Sequence, residues 1–97
     1  KVLIMGVAYK PGVGDVRETP ASALRAALVA RGAEVAWVDP LVPLWEGSSP
    51  VSDDWECDVA VIAINQKGLR IEPILKRSIP ILDCTNSYSN LSGVFSL

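Results

Sequence analysis

The residues best equipped for chemistry lie close together near the start of the chain. Lys10 follows an apolar run, Arg17 comes soon after it, and Thr19-Pro20 has the form of a helix start. A Lys, an Arg and the N–H groups at the positive end of a helix dipole would together suit a phosphate. The competing reading makes Lys10 a solvated charge and has Arg17 paired with Asp15 or Glu18 to brace the loop. The strand-end position of Lys10 favours a binding role. For Arg17 the sequence favours the brace.

Other reactive groups are few. The chain contains no His, so no Ser/His/Asp set, imidazole ligand or imidazole switch is available. Its two cysteines, Cys57 and Cys84, form neither a metal signature nor a disulfide framework. The acidic run Asp53-Asp54-Trp55-Glu56 would raise the Cys57 thiol pKa. Cys84, at a strand end, is the better-placed thiol, yet burial in a structural role is expected of both. Trp37, Trp45 and Trp55 could stack a base, but packing is their expected role. No catalytic residue and no metal site is expected.

Asp39, at the end of the second apolar strand, stands where dinucleotide-binding folds place a ribose-binding acid. Such a fold also needs Gly-x-Gly-x-x-Gly in the first turn, and Gly6, Gly12 and Gly14 do not supply it. Asp39-Pro40 is therefore read as a strand terminator that caps the next turn.

The elements that must position these residues follow from hydrophobic period. Val2 to Tyr9 reads as a buried strand, and Lys10 to Asp15 as a loop punctuated by Pro11, Gly12 and Gly14. Thr19 caps a helix with Pro20 at its first position, Ala21, Leu24, Ala27 and Leu28 as its apolar stripe, and Gly32 at its end. Strands follow at Ala33 to Val38, Asp58 to Ile64 and Ile79 to Leu82, the last ending at Asp83. Lys67 to Arg77 is a helix candidate weakened by Gly68 and Pro73, and Val94 to Leu97 a short edge strand. Alternating strands and helices predict a single α/β domain over residues 1–97, a Rossmann-like open parallel sheet with helices on both faces. Ligands of such sheets sit beyond the carboxyl ends of the strands.

Composition bounds the partners. The 97 residues are 49% apolar and 21% charged, enough for one core, and the net charge is −2. That balance, without a basic run, argues against nucleic acid or an anionic membrane. Apolar stretches are strand-sized, so no membrane helix is expected. The chain opens on a core strand without an initiator Met or a signal peptide. It is expected to be cytoplasmic and part of a larger polypeptide.

The stretch Gly6-Val7-Ala8-Tyr9-Lys10-Pro11-Gly12-Val13-Gly14-Asp15-Val16-Arg17-Glu18-Thr19-Pro20-Ala21 closely resembles the opening of the C-terminal UDP-binding domain in the UDP-glucose/GDP-mannose dehydrogenase family. The family pattern is an aromatic-Lys pair, a loop, then Asp-x-Arg-Glu-Ser/Thr-Pro-Ala. Arg31 to Val35, Asp39 to Pro43, Cys57 to Ala63, Ile81 to Asp83 and Gly93-Val94 continue the likeness. The resemblance implies an enzyme that oxidises the C6 alcohol of a UDP-hexose or UDP-N-acetylhexosamine to the uronate with NAD. In that family NAD sits mainly on an N-terminal domain, the catalytic Cys lies outside the C-terminal domain, and the latter holds the nucleotide. Carried over, Tyr9 and Lys10 would touch the UDP-sugar, Arg17 would lie nearer the ligand, and Asp15, Glu18 and Thr19 would shape the loop. The expected partners are the UDP-sugar and the absent N-terminal and central domains, with a homo-oligomeric full-length enzyme and an inactive isolated domain. The sequence departs from the family after the fourth strand, where Asp83-Cys84-Thr85-Asn86 lacks the usual substrate-contacting Arg. It departs again after the third strand, where Asn65-Gln66 stands in place of a frequent His. The wording around Tyr9-Lys10 and Arg17 to Ala21 leans toward the UDP-N-acetylhexosamine branch.

Two other readings remain open on sequence alone. One is a free-standing NAD-binding domain, resting on the fold and Asp39. The other is a non-catalytic packing or oligomerisation domain.

Overall fold

A computed structural model describes residues 1–88 and 90–96. Five strands form one parallel sheet: β1 (Val2–Met5), β2 (Val35–Val38), β3 (Val59–Ile62), β4 (Ile81–Asp83) and β5 (Val94–Ser96). Their spatial order is β2-β1-β3-β4-β5. The chain builds outward from β1 to β2, returns to β3, and builds outward again on the other side. The order therefore reverses between β1 and β3, the point at which open α/β sheets bind ligands.

Side-chain alternation along the strands divides the core in two. Leu3 and Met5 of β1 face one way, with Ala60, Ile62 and Ile81, and are covered by Ile71 and Ile74. Ile4 faces the other way, with Trp37, and is covered by Ala21, Leu24 and Leu28 of α1 (Pro20–Ala30). Helices thus lie on both faces, as period-two strands buried on both sides require.

The helix α1 has the predicted boundaries. Thr19 accepts from the N–H of Ala21, Pro20 opens the first turn, and Gly32 (φ 90°) follows the C-cap Arg31. The second helix is shorter than predicted. Instead of Lys67 to Arg77, α2 spans only Glu72–Lys76, with Pro73 in its first turn and Ser78 left-handed (φ 57°) just beyond it. Gly68 (φ 82°) and Pro73 confine it to little more than one turn.

The first strand is also shorter than the apolar run, because Gly6 turns the chain at φ 80° directly after Met5. Val7 and Ala8 nonetheless remain fully buried. The strand predicted over Val94 to Leu97 is present as β5, and Leu97 lies outside the described residues. Trp37 and Trp45 pack edge to face at 5.8 Å in the core, while Trp55 packs against the opposite cluster. Cys57 is buried as expected, but Cys84 is exposed, which corrects the expectation of burial. Desolvation pushes the Cys57 thiol up, and partial desolvation together with the neighbouring Asp83 carboxylate does the same at Cys84.

Candidate functional site

The site is built from three loops at the carboxyl ends of β1, β2 and β3. Gly6 lies so close to Ile64 that a β-carbon on it would collide with the Ile64 carbonyl oxygen. That close approach brings the loops after β1 and β3 together at the point of reversal. Beyond Gly6, the N–H groups of Val7 and Ala8 donate to Asp39 Oδ2 at 2.9 and 3.2 Å. The chain then makes a closed excursion: Tyr9 N–H donates to the Asp15 carbonyl at 2.7 Å, so residues 10–14 leave and return at one place.

The return leg leads into α1. Asp15 Oδ1 accepts from the Arg17 backbone N–H at 2.9 Å, and the carboxylate pairs with the Arg17 guanidinium, Nη2 to Oδ2 at 2.7 Å. The hydrogen bonds from Arg17 hold the Asp15 carboxyl down at about 2. Glu18 follows in the left-handed region (φ 55°), an uncommon conformation for a residue with a side chain. Thr19 ends the loop: its hydroxyl donates to the Ala8 carbonyl at 3.1 Å and accepts from Ala21 N–H at 3.2 Å. One side chain therefore ties the start of α1 to the exit of β1.

Tyr9, Asp15, Arg17 and Glu18 line one open cleft of about 480 Å³. The Tyr9 ring is half exposed, at 52%. Lys10, next to Tyr9 in sequence, is exposed and makes no ion pair among the described residues. The lining groups alone carry one cation against two anions, and Arg17 is already committed to Asp15. Lys10 is thus the free positive charge nearest in sequence to Tyr9. The brace reading of Arg17 describes its resting geometry.

The helix start offers less to an anion than its sequence suggests. Pro20 has no N–H, Ala21 N–H is taken by the Thr19 side chain, and Ser22 N–H is taken by the Thr19 carbonyl at 3.2 Å. The expectation of free N–H groups there is corrected; what remains is the helix dipole.

Asp39 is 4% exposed, and both oxygens of its carboxylate accept backbone N–H groups. Besides Val7 and Ala8, it accepts from Leu41 N–H on Oδ1 at 2.9 Å and from Gln66 Nε2 on Oδ2 at 3.3 Å. It terminates β2 and caps the next turn, as read from the sequence. Its oxygens face inward and are occupied, so they do not fit a ribose diol. With no glycine-rich turn after β1 either, these residues do not fit NAD.

Two further organisers were not evident in the sequence. Gln66, 2% exposed, joins the loops after β1, β2 and β3. Asp83, fully buried, gathers the segment after β4 by accepting from Thr85 N–H and hydroxyl, Ser87 N–H and Tyr88 N–H at 2.6–2.9 Å. Burial raises the Asp83 carboxyl, yet the hydrogen bonds from Thr85, Tyr88 and Ser87 prevail and its pKa is lowered. Thr85, where the family pattern has Arg, is folded back on Asp83. Tyr88 then donates its hydroxyl to Asn65 Oδ1 at 2.8 Å, linking the ends of β3 and β4. Among the described residues no group of three or more His, Cys, Asp or Glu could hold a metal ion, and no helix is long and apolar enough to cross a membrane.

No curated protein matches the chain. Two solved structures of the UDP-N-acetyl-mannosamine dehydrogenase Cap5O from Staphylococcus aureus do, a derivative form at 25% identity with a TM-score of 0.74 and the native form at 27% identity with a TM-score of 0.71. The matches cover 98% and 99% of this chain, which spans 25% of the length of each dehydrogenase chain. The profile of the UDP-glucose/GDP-mannose dehydrogenase family, UDP binding domain, matches residues 3–89. That interval takes in the cleft, the loops after β1, β2 and β3, and both helices, and the chain therefore belongs to the UDP-glucose/GDP-mannose dehydrogenase family, in its UDP binding domain.

Proposed function

We propose that this domain holds the nucleotide of a UDP-sugar within an NAD-dependent 6-dehydrogenase, whose remaining domains carry out the oxidation. The observation that carries this reading is the cleft lined by Tyr9 and Arg17, with the exposed, unpaired Lys10 following Tyr9 in sequence. A diphosphate brought there meets one free ammonium group, which is the condition for a charge-assisted contact not already taken by a carboxylate. Tyr9 offers an exposed ring against which a ribose or base can pack. Arg17 supplies a second cation only by sharing or exchanging its Asp15 partner, and Asp15, Glu18 and Thr19 fix the shape of the loop.

In the full reaction NAD would accept hydride from the C6 carbon of the sugar. The residues of this chain do not fit that cofactor, so their part is to bind and orient the nucleotide. The N-acetylhexosamine branch is the preferred substrate class, supported by the wording of the 6–21 segment and by one structural relative, a UDP-N-acetyl-mannosamine dehydrogenase seen in two structures.

The test is an amide NMR titration of the chain with UDP and, separately, with NAD. Shifts with UDP centred on Tyr9 to Thr19, lost in Lys10→Ala, are expected. Shifts with NAD alone would overturn the reading in favour of a cofactor domain. Unchanged UDP affinity in Lys10→Ala would remove Lys10 from the site.

A further inference from the structure

The segment 10–14 is tied at its ends by the Tyr9–Asp15 bond, but its middle has one side chain as its hydrogen-bond partner among the described residues. That side chain is Gln66. Its Oε1 accepts from Gly12 N–H at 2.7 Å and from Lys67 N–H at 3.0 Å. Its Nε2 donates to the Val13 carbonyl at 2.8 Å and to Asp39 Oδ2 at 3.3 Å. A carboxamide has two acceptor sites and two donor hydrogens, so all four are used.

The arrangement tolerates neither a flipped amide nor an acid. Rotating the amide would set its NH₂ against two N–H donors and its oxygen against a carbonyl and a carboxylate. A Glu would bring a second carboxylate onto Asp39. The same Asp39 oxygen holds Val7 and Ala8, the residues that lead into Tyr9. Gln66 thus fixes both the middle of the loop and, through Asp39, its entry.

We propose that Gln66 is a positioning residue for nucleotide binding, holding the 9–15 loop so that Tyr9 and Lys10 stand ready at the cleft. It need not touch the ligand; it removes the ordering that the loop would otherwise undergo on binding. This inference rests on the nucleotide-binding reading above.

The experiment compares the wild-type chain with Gln66→Met and Gln66→Glu, using UDP as the probe and amide hydrogen exchange as a second readout. Gln66→Met keeps the side-chain length but loses the four bonds. It is expected to weaken UDP by about tenfold. It should also speed exchange at Gly12 and Lys67, while the β3 amides keep their protection. Gln66→Glu adds a pH readout. Asp39 is the ionisable side chain that residue 66 hydrogen-bonds, while Lys67, next in sequence, is exposed. Two carboxylates in that contact raise the pKa of the pair, so UDP affinity in this variant should be poor near about pH 8 and recover toward wild type near about pH 5, where one proton bridges them. If Gln66→Met does not fold, the pH profile of Gln66→Glu decides alone. Wild-type affinity in Gln66→Met with faster Gly12 exchange, or a pH-independent wild-type affinity in Gln66→Glu, would overturn the positioning role while leaving the UDP site standing. A wild-type chain that takes up no UDP would overturn the nucleotide-binding reading and this inference with it.

Discussion

The carbonyl oxygen of Ile64 occupies the space that a β-carbon on Gly6 would need. This contact joins the ends of β1 and β3, and Gly6 is left-handed there at φ 80°. Gly6→Ala therefore combines an unfavourable backbone conformation with overpacking against a backbone atom that cannot rotate away. The expected loss is about 3 kcal/mol or more, summing the typical costs of a left-handed L-residue and an overpacked core site. Urea denaturation measures it. A loss under about 1 kcal/mol would mean that the loop after β3 shifts freely, and that the two strand ends are not held as described.

Thr19 performs two tasks with one hydroxyl, capping α1 and holding the Ala8 carbonyl. Thr19→Val keeps the shape and removes both bonds. We expect a loss of about 1–2 kcal/mol, the usual cost of an N-cap with a buried acceptor left unpaired. Thr19→Ser should recover most of it. Equal stability of the Val and Ser variants would show that the apolar contacts of α1 alone seat the helix.

Much of this architecture is legible from residue types and spacing. Val2 to Met5 and Val59 to Ile62 are apolar runs of strand length, and Thr19-Pro20 with Gly32 brackets α1 from both ends. What escapes is set by distance in sequence. Gln66 reaches Gly12 and Asp39 across 54 and 27 positions, and no local pattern distinguishes a Gln that does so from one in a solvated loop. The same holds for Asn65 and Tyr88, 23 positions apart. Asp39 and Asp83 are visible as strand terminators, but their role in gathering neighbouring N–H groups depends on the fold bringing those groups round. The short α2 reflects a local conflict: apolar spacing extends the helix, while Gly68 and Pro73 confine it.

Asp83 makes an acid-dependent contribution to stability. Its folded pKa lies below the ordinary Asp value, so its stabilisation is fully present above about pH 4 and is lost as pH falls through the lower folded value. Asp83→Asn should cost about 2 kcal/mol at neutral pH, the scale of hydrogen bonds to a buried charged acceptor. It should also flatten the acid limb, so that wild type and variant converge as pH falls through the lowered folded value of Asp83. Thermal denaturation across pH checks both. A variant parallel to wild type at every pH would place the acid sensitivity elsewhere.

Arg17 is the residue on which the geometry and the family likeness pull in different directions. At rest it is committed to Asp15, with the guanidinium exposed and the carboxyl held at about 2. A diphosphate carries more negative charge than one carboxylate and can draw the guanidinium toward it, because an exposed pair is screened and easily exchanged. Arg17→Ala is therefore expected to return the Asp15 pKa to the ordinary range of about 4, read by NMR, and to weaken UDP. The decisive comparison is Asp15→Asn. If Arg17 serves only as a brace, removing its partner loosens the loop and UDP binding falls. If Arg17 also meets the phosphates, Asp15→Asn releases it, and UDP binding strengthens at low salt and loses that gain as salt screens the contact. We expect the second outcome, since the amide oxygen that this substitution introduces would still accept the Arg17 backbone N–H that shapes the turn.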